Sequence, residues 1–328
     1  MKLPSEKVNQ PIGVQYWKNQ PLWKQTLYIL GLPRSGKSTI FNVLASCKQV
    51  EGLEEPLDLL GIAQKMAGYK DKPFVTRDFK DLYLALMDNH YSELILGRSY
   101  NLRKQDKSYI LNIKSEQHLT RAQARNRRVD VLEHLEGSNS VFLIVFNDME
   151  NSLDFITSNV PHPQLIYVKR DWRDVGVEIM DKGWLSDEQL KSQTNLIPGY
   201  QAKIRSGDSE FYIPFVIPIE AKNMYLSLSD LDRACLFALI QSTSLENEIA
   251  NIGIKSHKID FENLVKNPME QIGSLMDALG LQESKMFRKN TAKLVAEVKE
   301  IKTGKGCNYK PSGAFTEILQ ELNLELPS

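Results

Sequence analysis

The chain has 328 residues, 25% of them charged and 42% hydrophobic, the balance of a globular protein long enough to bury a substantial core. Lys plus Arg and Asp plus Glu number 41 each, which excludes the overall basic field expected of a nucleic-acid or anionic-membrane binder. The cysteines Cys47, Cys235 and Cys307 are odd in number and far apart, giving neither a disulfide framework nor a zinc pattern, and read as packing residues in a reducing compartment.

Residues 1–26 carry charges and prolines but no apolar signal core, and read as a surface arm that Trp17 and Trp23 can tether. Residues 27–328 read as one α/β domain. Its first strand, 27–30, breaks into GLPRSGKST at 31–39 and then into a helix. This stretch completes the pattern G-x-x-x-x-G-K-[ST] from Gly31 to Ser38. Gly31 and Gly36 can take positive φ and let an anion approach the backbone, Pro33, Arg34 and Ser35 shape the loop between them, and the helix start offers N–H donors and partial positive charge. Lys37 adds a mobile cation, and Ser38 and Thr39 add hydroxyls. The loop predicts phosphate binding without saying whose phosphate.

Farther on, Gly52 and Pro56 interrupt residues 50–60 and are expected to place Glu54 and Glu55 in a loop, ahead of helices at 62–66 and 79–87. Residues 108–114, SYILNIK, form a second strand candidate. Residues 118–135 suggest a charged helix whose four arginines, from Arg121 to Arg128, make a solvated face. VFLIVF at 141–146 is an unbroken apolar run, far short of a bilayer and suited to a buried strand, and no run in the chain is long enough to cross one, so a soluble, cytoplasmic protein without stable membrane insertion is expected. QLIYVK at 164–169 is the next strand and runs into Arg170-Asp171-Trp172-Arg173-Asp174 before a helix.

Between 183 and 225 Gly, Pro, Ser and Asp are scattered among aromatics, the texture of a helical or irregular insertion that covers an acceptor site. Residues 228–249 predict a long helix and 254–261 a late strand. Pro268 and Gly280 bracket a helix over MEQIGSLMDAL. Strands alternating with helices imply a central parallel sheet flanked by helices, with ligands at the carboxyl ends of its strands.

Three segments together resemble the sulfotransferases that use 3′-phosphoadenosine 5′-phosphosulfate (PAPS). GLPRSGKST resembles their 5′-phosphosulfate loop, IYVKRDWRDVGVEI at 166–179 their strand, loop and helix for the 3′-phosphate, and IDFENLVKNPMEQIGSLMDALGL at 259–281 their late strand and Pro-capped helix. The resemblance implies PAPS as co-substrate, PAP as product, a hydroxylated acceptor and no metal. Gly52-Leu53-Glu54-Glu55 is similar to the Gly-Glu-Glu segment of the protein-tyrosine branch with one residue inserted, and Glu55-Pro56 matches a Glu-Pro of carbohydrate sulfotransferases; both imply Glu55 as the base. Lys114-Ser115 resembles the family's Lys-Thr-Pro strand end, with Glu116 in place of the proline. Arg34, Lys37 and Lys114 then supply positive charge to the transferring group, and Arg170 to the 3′-phosphate.

The chain departs from the pattern twice. Trp172 replaces the proline after Arg-Asp, and Glu178 stands eight residues after Arg170, where the family has a phosphate-binding serine. A carboxylate beside a phosphate is repulsive. Two other readings stay open. One is a kinase or nucleotide hydrolase using ATP or GTP with magnesium, drawn from the complete loop with Lys37 and from a strand ending at Asp148. The other is a binding protein that kept the fold and lost the donor site. Acceptor identity and oligomeric state are not encoded in any motif.

Overall fold

Five short strands pair side by side, all parallel, in the order β2-β3-β1-β4-β7. They are β1 (Gln25–Leu30), β2 (Val50–Glu54), β3 (Val141–Val145), β4 (Pro163–Lys169) and β7 (Ser256–Asp260). The structure is a computed structural model that describes residues 21–67, 73–95, 140–147, 152–158, 160–193, 201–206, 209–214, 216–299 and 303–326. Trp17, the strand expected at 108–114 with Lys114, the arginine-bearing helix expected at 118–135, and Asp148 lie outside the described residues.

The alternation of side chains along each strand divides the core in two. Tyr28, Phe142, Ile144, Leu165 and Tyr167 face one way, onto α2 (Leu57–Ala67), α3 (Pro73–Ile95) and α4 (Leu153–Thr157). Leu27, Ile29, Leu143, Val145, Ile166 and Val168 face the other way, onto α1 (Lys37–Leu44), and onto α9 (Phe261–Lys266), α10 (Pro268–Leu279) and α11 (Lys285–Lys299). The inner strands β1, β3 and β4 are therefore buried on both faces, as their near-continuous apolar runs require of a parallel sheet, whereas the edge strand β7 is partly exposed. Each fully buried large side chain contributes about 1.5–3 kcal/mol, and β1 supplies four in succession, Leu27 to Leu30.

The chain ahead of β1 is fastened by Trp23, which is buried, lies edge-on to Phe142 and donates its indole N–H to Thr26 Oγ1 at 2.8 Å. After β4 comes α5 (Trp172–Asp181), capped by Asp171, whose carboxylate accepts the Arg173 N–H at 2.8 Å. This helix packs through Val175 and Ile179 on Ala234, Phe237 and Ala238 of the long helix α8 (Asp230–Ile252). The last segment, ending in α12 (Gly313–Glu321), folds back onto the start of α5: buried Asp174 accepts the N–H groups of Gly304 and Gly306, each at 2.6 Å. Trp172 stacks on Phe315 there.

Several boundaries differ from those expected. Residues 50–54 form a strand, so Glu54 is a buried strand residue and only Glu55 leaves the sheet. Gly52 is not a turn residue: a Cβ there would press on Ala45 and the Phe41 ring, so glycine lets α1 lie close against β2. The two short helices expected after it are longer, α2 and α3, because packing on the sheet extends them past their strongest periodicity. Within 183–225 stand a helix, α6 (Asp187–Gln193), an antiparallel hairpin of β5 (Gln201–Ser206) and β6 (Ser209–Pro214), and α7 (Lys222–Ser227). Cys47 and Cys235 are buried as expected, whereas Cys307 is exposed because its loop rides over α5. Gly280, at φ +64°, ends α10 as foreseen.

Candidate active site

The five strands of the central sheet being parallel, the segments that follow β1, β2, β3, β4 and β7 emerge along one edge of it. Ranged across that edge are Glu55 after β2, Asn147 after β3, the loop 31–36 after β1, Arg170 after β4 and Phe261 after β7. Successive strands lie about 4.8 Å apart, so the Glu55 and Arg170 backbones flank the loop at about 10 Å and about 5 Å.

The loop is shaped by backbone that only glycine accepts easily. Gly31 has φ +149° and would drive a Cβ into the Val168 carbonyl; Gly36 has φ +91° and would place one 2.5 Å from the Phe261 ring. Arg34, at φ +64°, takes the left-handed conformation without being glycine, and its carbonyl is held by Arg170 Nη1 at 2.6 Å. α1 begins at Lys37 with no side-chain cap, so its first turn faces the loop with the positive end of its dipole. Pro33, Ser38 and Thr39 are half-buried on the loop and first turn.

Lys37 is not the mobile cation that the sequence suggests. It is buried, and its Nζ donates to the carbonyl oxygens of Gly31 and, at 2.7 Å, of Leu32. The lysine thus braces the loop from within.

Arg170 is buried, with its guanidinium 4.7 Å from the centre of the Phe261 ring. Besides the Arg34 carbonyl, it holds Glu178 Oε1 at 2.8 Å through Nη2. Glu178 reaches back one turn or more along α5 and bonds Arg34 Nε through Oε2, also at 2.8 Å. Arg34, Glu178 and Arg170 therefore form one bridged unit rather than a carboxylate set apart from the cations. Burial opposes ionisation of Glu178, yet the hydrogen bonds from Arg34 and Arg170 outweigh it and hold its carboxyl below the usual range. Asp171 is likewise lowered: burial works against the charge, and the hydrogen bonds from Arg173 prevail.

Two polar atoms of this cluster are buried with no hydrogen-bond partner among the described residues, Ser35 Oγ and Arg170 Nε. Both are donors. Buried donors left open beside a glycine loop suit an anion.

Glu55 sits at φ +46°, again left-handed, with its N–H on the Val145 carbonyl at 2.9 Å and its Oε1 bonded by the Asn147 amide. The half-buried carboxylate is thereby oriented by a residue just past the end of the neighbouring strand β3.

The structure brings Gly31, Arg34, Ser35, Gly36, Lys37, Arg170 and Glu178 together by direct contact or by chain continuity, and puts Glu55 on the same edge. Sequence reasoning passed over Asn147, Phe261 and Asp174. Asn147 and Phe261 each directly follow a strand run or its last residue, and the edge rule applied to every strand end finds both. Asp174 carries no such signal, since its partners lie 130 and 132 residues away. Among the described residues no group of three or more His, Cys, Asp or Glu is arranged to hold a metal, and no helix is long and apolar enough to cross a membrane.

No family model matches the chain, and no curated protein sequence matches it significantly. Among solved structures it is similar to the sulfotransferase domain from the curacin biosynthetic pathway, at 14% identity over 93% of this chain and 99% of that one, with a TM-score of 0.42. It is also similar to sulfotransferase STF9 from Mycobacterium avium, at 11% identity over 95% and 80% with a TM-score of 0.42. A sulfotransferase from Alicyclobacillus acidocaldarius gives 10% over 92% and 97%, with a TM-score of 0.37. All three of these solved structures are described as sulfotransferases.

Proposed function

We propose that the protein is a sulfotransferase that moves a sulfuryl group from PAPS to a hydroxyl of a small-molecule, carbohydrate or carrier-bound acceptor. The observation that carries this reading is the junction of Arg170 with the phosphate loop, together with the buried donors Ser35 Oγ and Arg170 Nε, which have no partner among the described residues. A loop that takes a 5′-phosphosulfate and an arginine that takes a 3′-phosphate have to be neighbours, and these are in contact.

PAPS supplies the activated sulfuryl group, whose sulfur is attacked by the acceptor oxygen as the bond to the departing phosphate breaks. In this reading Gly31, Arg34, Ser35, Gly36, Ser38 and Thr39 bind the 5′ end through loop amides, hydroxyls and the helix start, Pro33, which has no N–H, stiffens the loop that holds it, and Arg34 balances charge that gathers during transfer. Lys37 keeps the loop in shape and adds its charge beneath it. Glu55 takes the proton of the acceptor hydroxyl, held by Asn147 in the orientation that this needs. Lys114 is a further cation of the same reaction, and the segment 183–225 covers the acceptor. In this reading the loop takes the 5′ end of the donor, and at the 3′-phosphate position Glu178 shares the arginine and has to give way.

Ligand-induced stabilisation separates this reading from the others. PAP in EDTA is expected to raise the melting temperature, which also requires no metal. A response to ATP with magnesium alone makes the chain a kinase or nucleotide hydrolase, and no response to either makes it a non-catalytic relative.

A further inference from the structure

We propose that Glu178 is a resident counter-anion that a nucleotide's 3′-phosphate must displace from Arg34 and Arg170, so that this carboxylate sets discrimination between nucleotides with and without that phosphate. The inference rests on the reading of the loop and Arg170 as a donor site.

The geometry leaves little choice. Both terminal nitrogens of the Arg170 fork are engaged, Nη1 by the Arg34 carbonyl at 2.6 Å and Nη2 by Glu178 at 2.8 Å, and the buried Nε has no partner among the described residues. A phosphate that reaches Nε and Nη2 together comes within contact of a carboxylate that is already ionised, and two anions in contact repel. Either the phosphate stays out or Glu178 leaves, giving up charge-assisted hydrogen bonds to two arginines. The way out is open on the Arg34 side: the Arg34 side chain is 48% exposed, against 2% for Arg170. A free ribose hydroxyl meets no such obstacle. It donates a hydrogen bond to the Glu178 carboxylate while both arginine contacts stay in place.

The carboxylate therefore taxes a 3′-phosphate and leaves a 3′-hydroxyl untaxed. A serine at this position would do neither, and the exchange of one for the other changes ligand preference without moving the loop.

The test is equilibrium binding of two probes, PAP and AMP, which differ only in the 3′-phosphate, to the full chain, wild type and Glu178→Gln. The glutamine keeps an oxygen acceptor for Arg170 and removes the charge. PAP is expected to bind the wild type within about tenfold of AMP, and Glu178→Gln to tighten PAP by about tenfold or more while AMP changes by less than about threefold. Glu178→Ser, smaller still, is expected to shift the ratio the same way. Should either variant fold poorly, the wild-type ratio decides alone: PAP bound about a hundredfold more tightly than AMP overturns the proposal. An unchanged ratio in the variants overturns it as well, with the donor reading intact. Binding of neither probe to any form overturns the donor reading itself, and the proposal with it.

Discussion

Arg170 Nη1 donates to the main-chain carbonyl of Arg34 at 2.6 Å, pinning the end of β4 to the tip of the phosphate loop. The bond explains how Arg34 keeps a left-handed backbone, φ +64°, without being glycine: its carbonyl is fixed by a buried guanidinium that is itself backed by the Phe261 ring. Loop, arginine and ring form one support, and Glu178 closes it from α5.

Lys37 braces this support. Lys37→Met keeps the buried stem and removes the ammonium that bonds Gly31 and Leu32, so it is expected to destabilise the unliganded protein by about 2 kcal/mol, the scale of a charged hydrogen bond. Donor binding is expected to weaken alongside. Thermal unfolding without ligand checks this; an unchanged melting temperature with weakened binding would mean that the ammonium serves the ligand instead.

Glu55 is expected to act on turnover and not on donor binding. Glu55→Gln should lower the rate by about 10² or more and leave PAP affinity at its wild-type value. Asn147→Ala, which removes the amide's hydrogen bond to the same carboxylate, is expected to fall between wild type and Glu55→Gln in rate. Steady-state kinetics beside PAP binding separates the roles: equal loss of rate and binding would make Glu55 structural.

The core architecture was legible because it rests on local patterns. Apolar runs at β1, β3 and β4 and the Pro268 and Gly280 brackets of α10 announce themselves within a few residues, and alternation with helices implies the parallel sheet. Glu54 was misplaced because Gly52 looks like a breaker locally, whereas its reason is a helix packed against it in space. Glu178 and Lys37 were identified as residues but not as partners. The sequence shows a carboxylate where a phosphate is expected, and only the fold shows that it joins residues 34 and 170. The role of Asp174 depends on a loop that arrives after 130 residues of chain, beyond any local rule.

Acid should loosen the Arg34–Glu178–Arg170 unit. The Glu178 carboxyl is lowered in the folded state, so its stabilising contribution is present above the ordinary carboxylate range and is lost as pH falls through its depressed value. The melting-temperature gap between wild type and Glu178→Gln, measured without ligand from neutral pH downward, is expected to narrow as Glu178 protonates. A gap that is constant or widens in acid would show that the carboxylate gains nothing from its two arginines.

The most direct measurement is transfer of label from sulfur-labelled PAPS, in EDTA, across a panel of hydroxylated acceptors. The account expects a labelled sulfate ester to form together with PAP, and the product to fall away in Glu55→Gln. Label remaining in the donor, while ATP with magnesium gives up its γ-phosphate to an acceptor or to water, would contradict it.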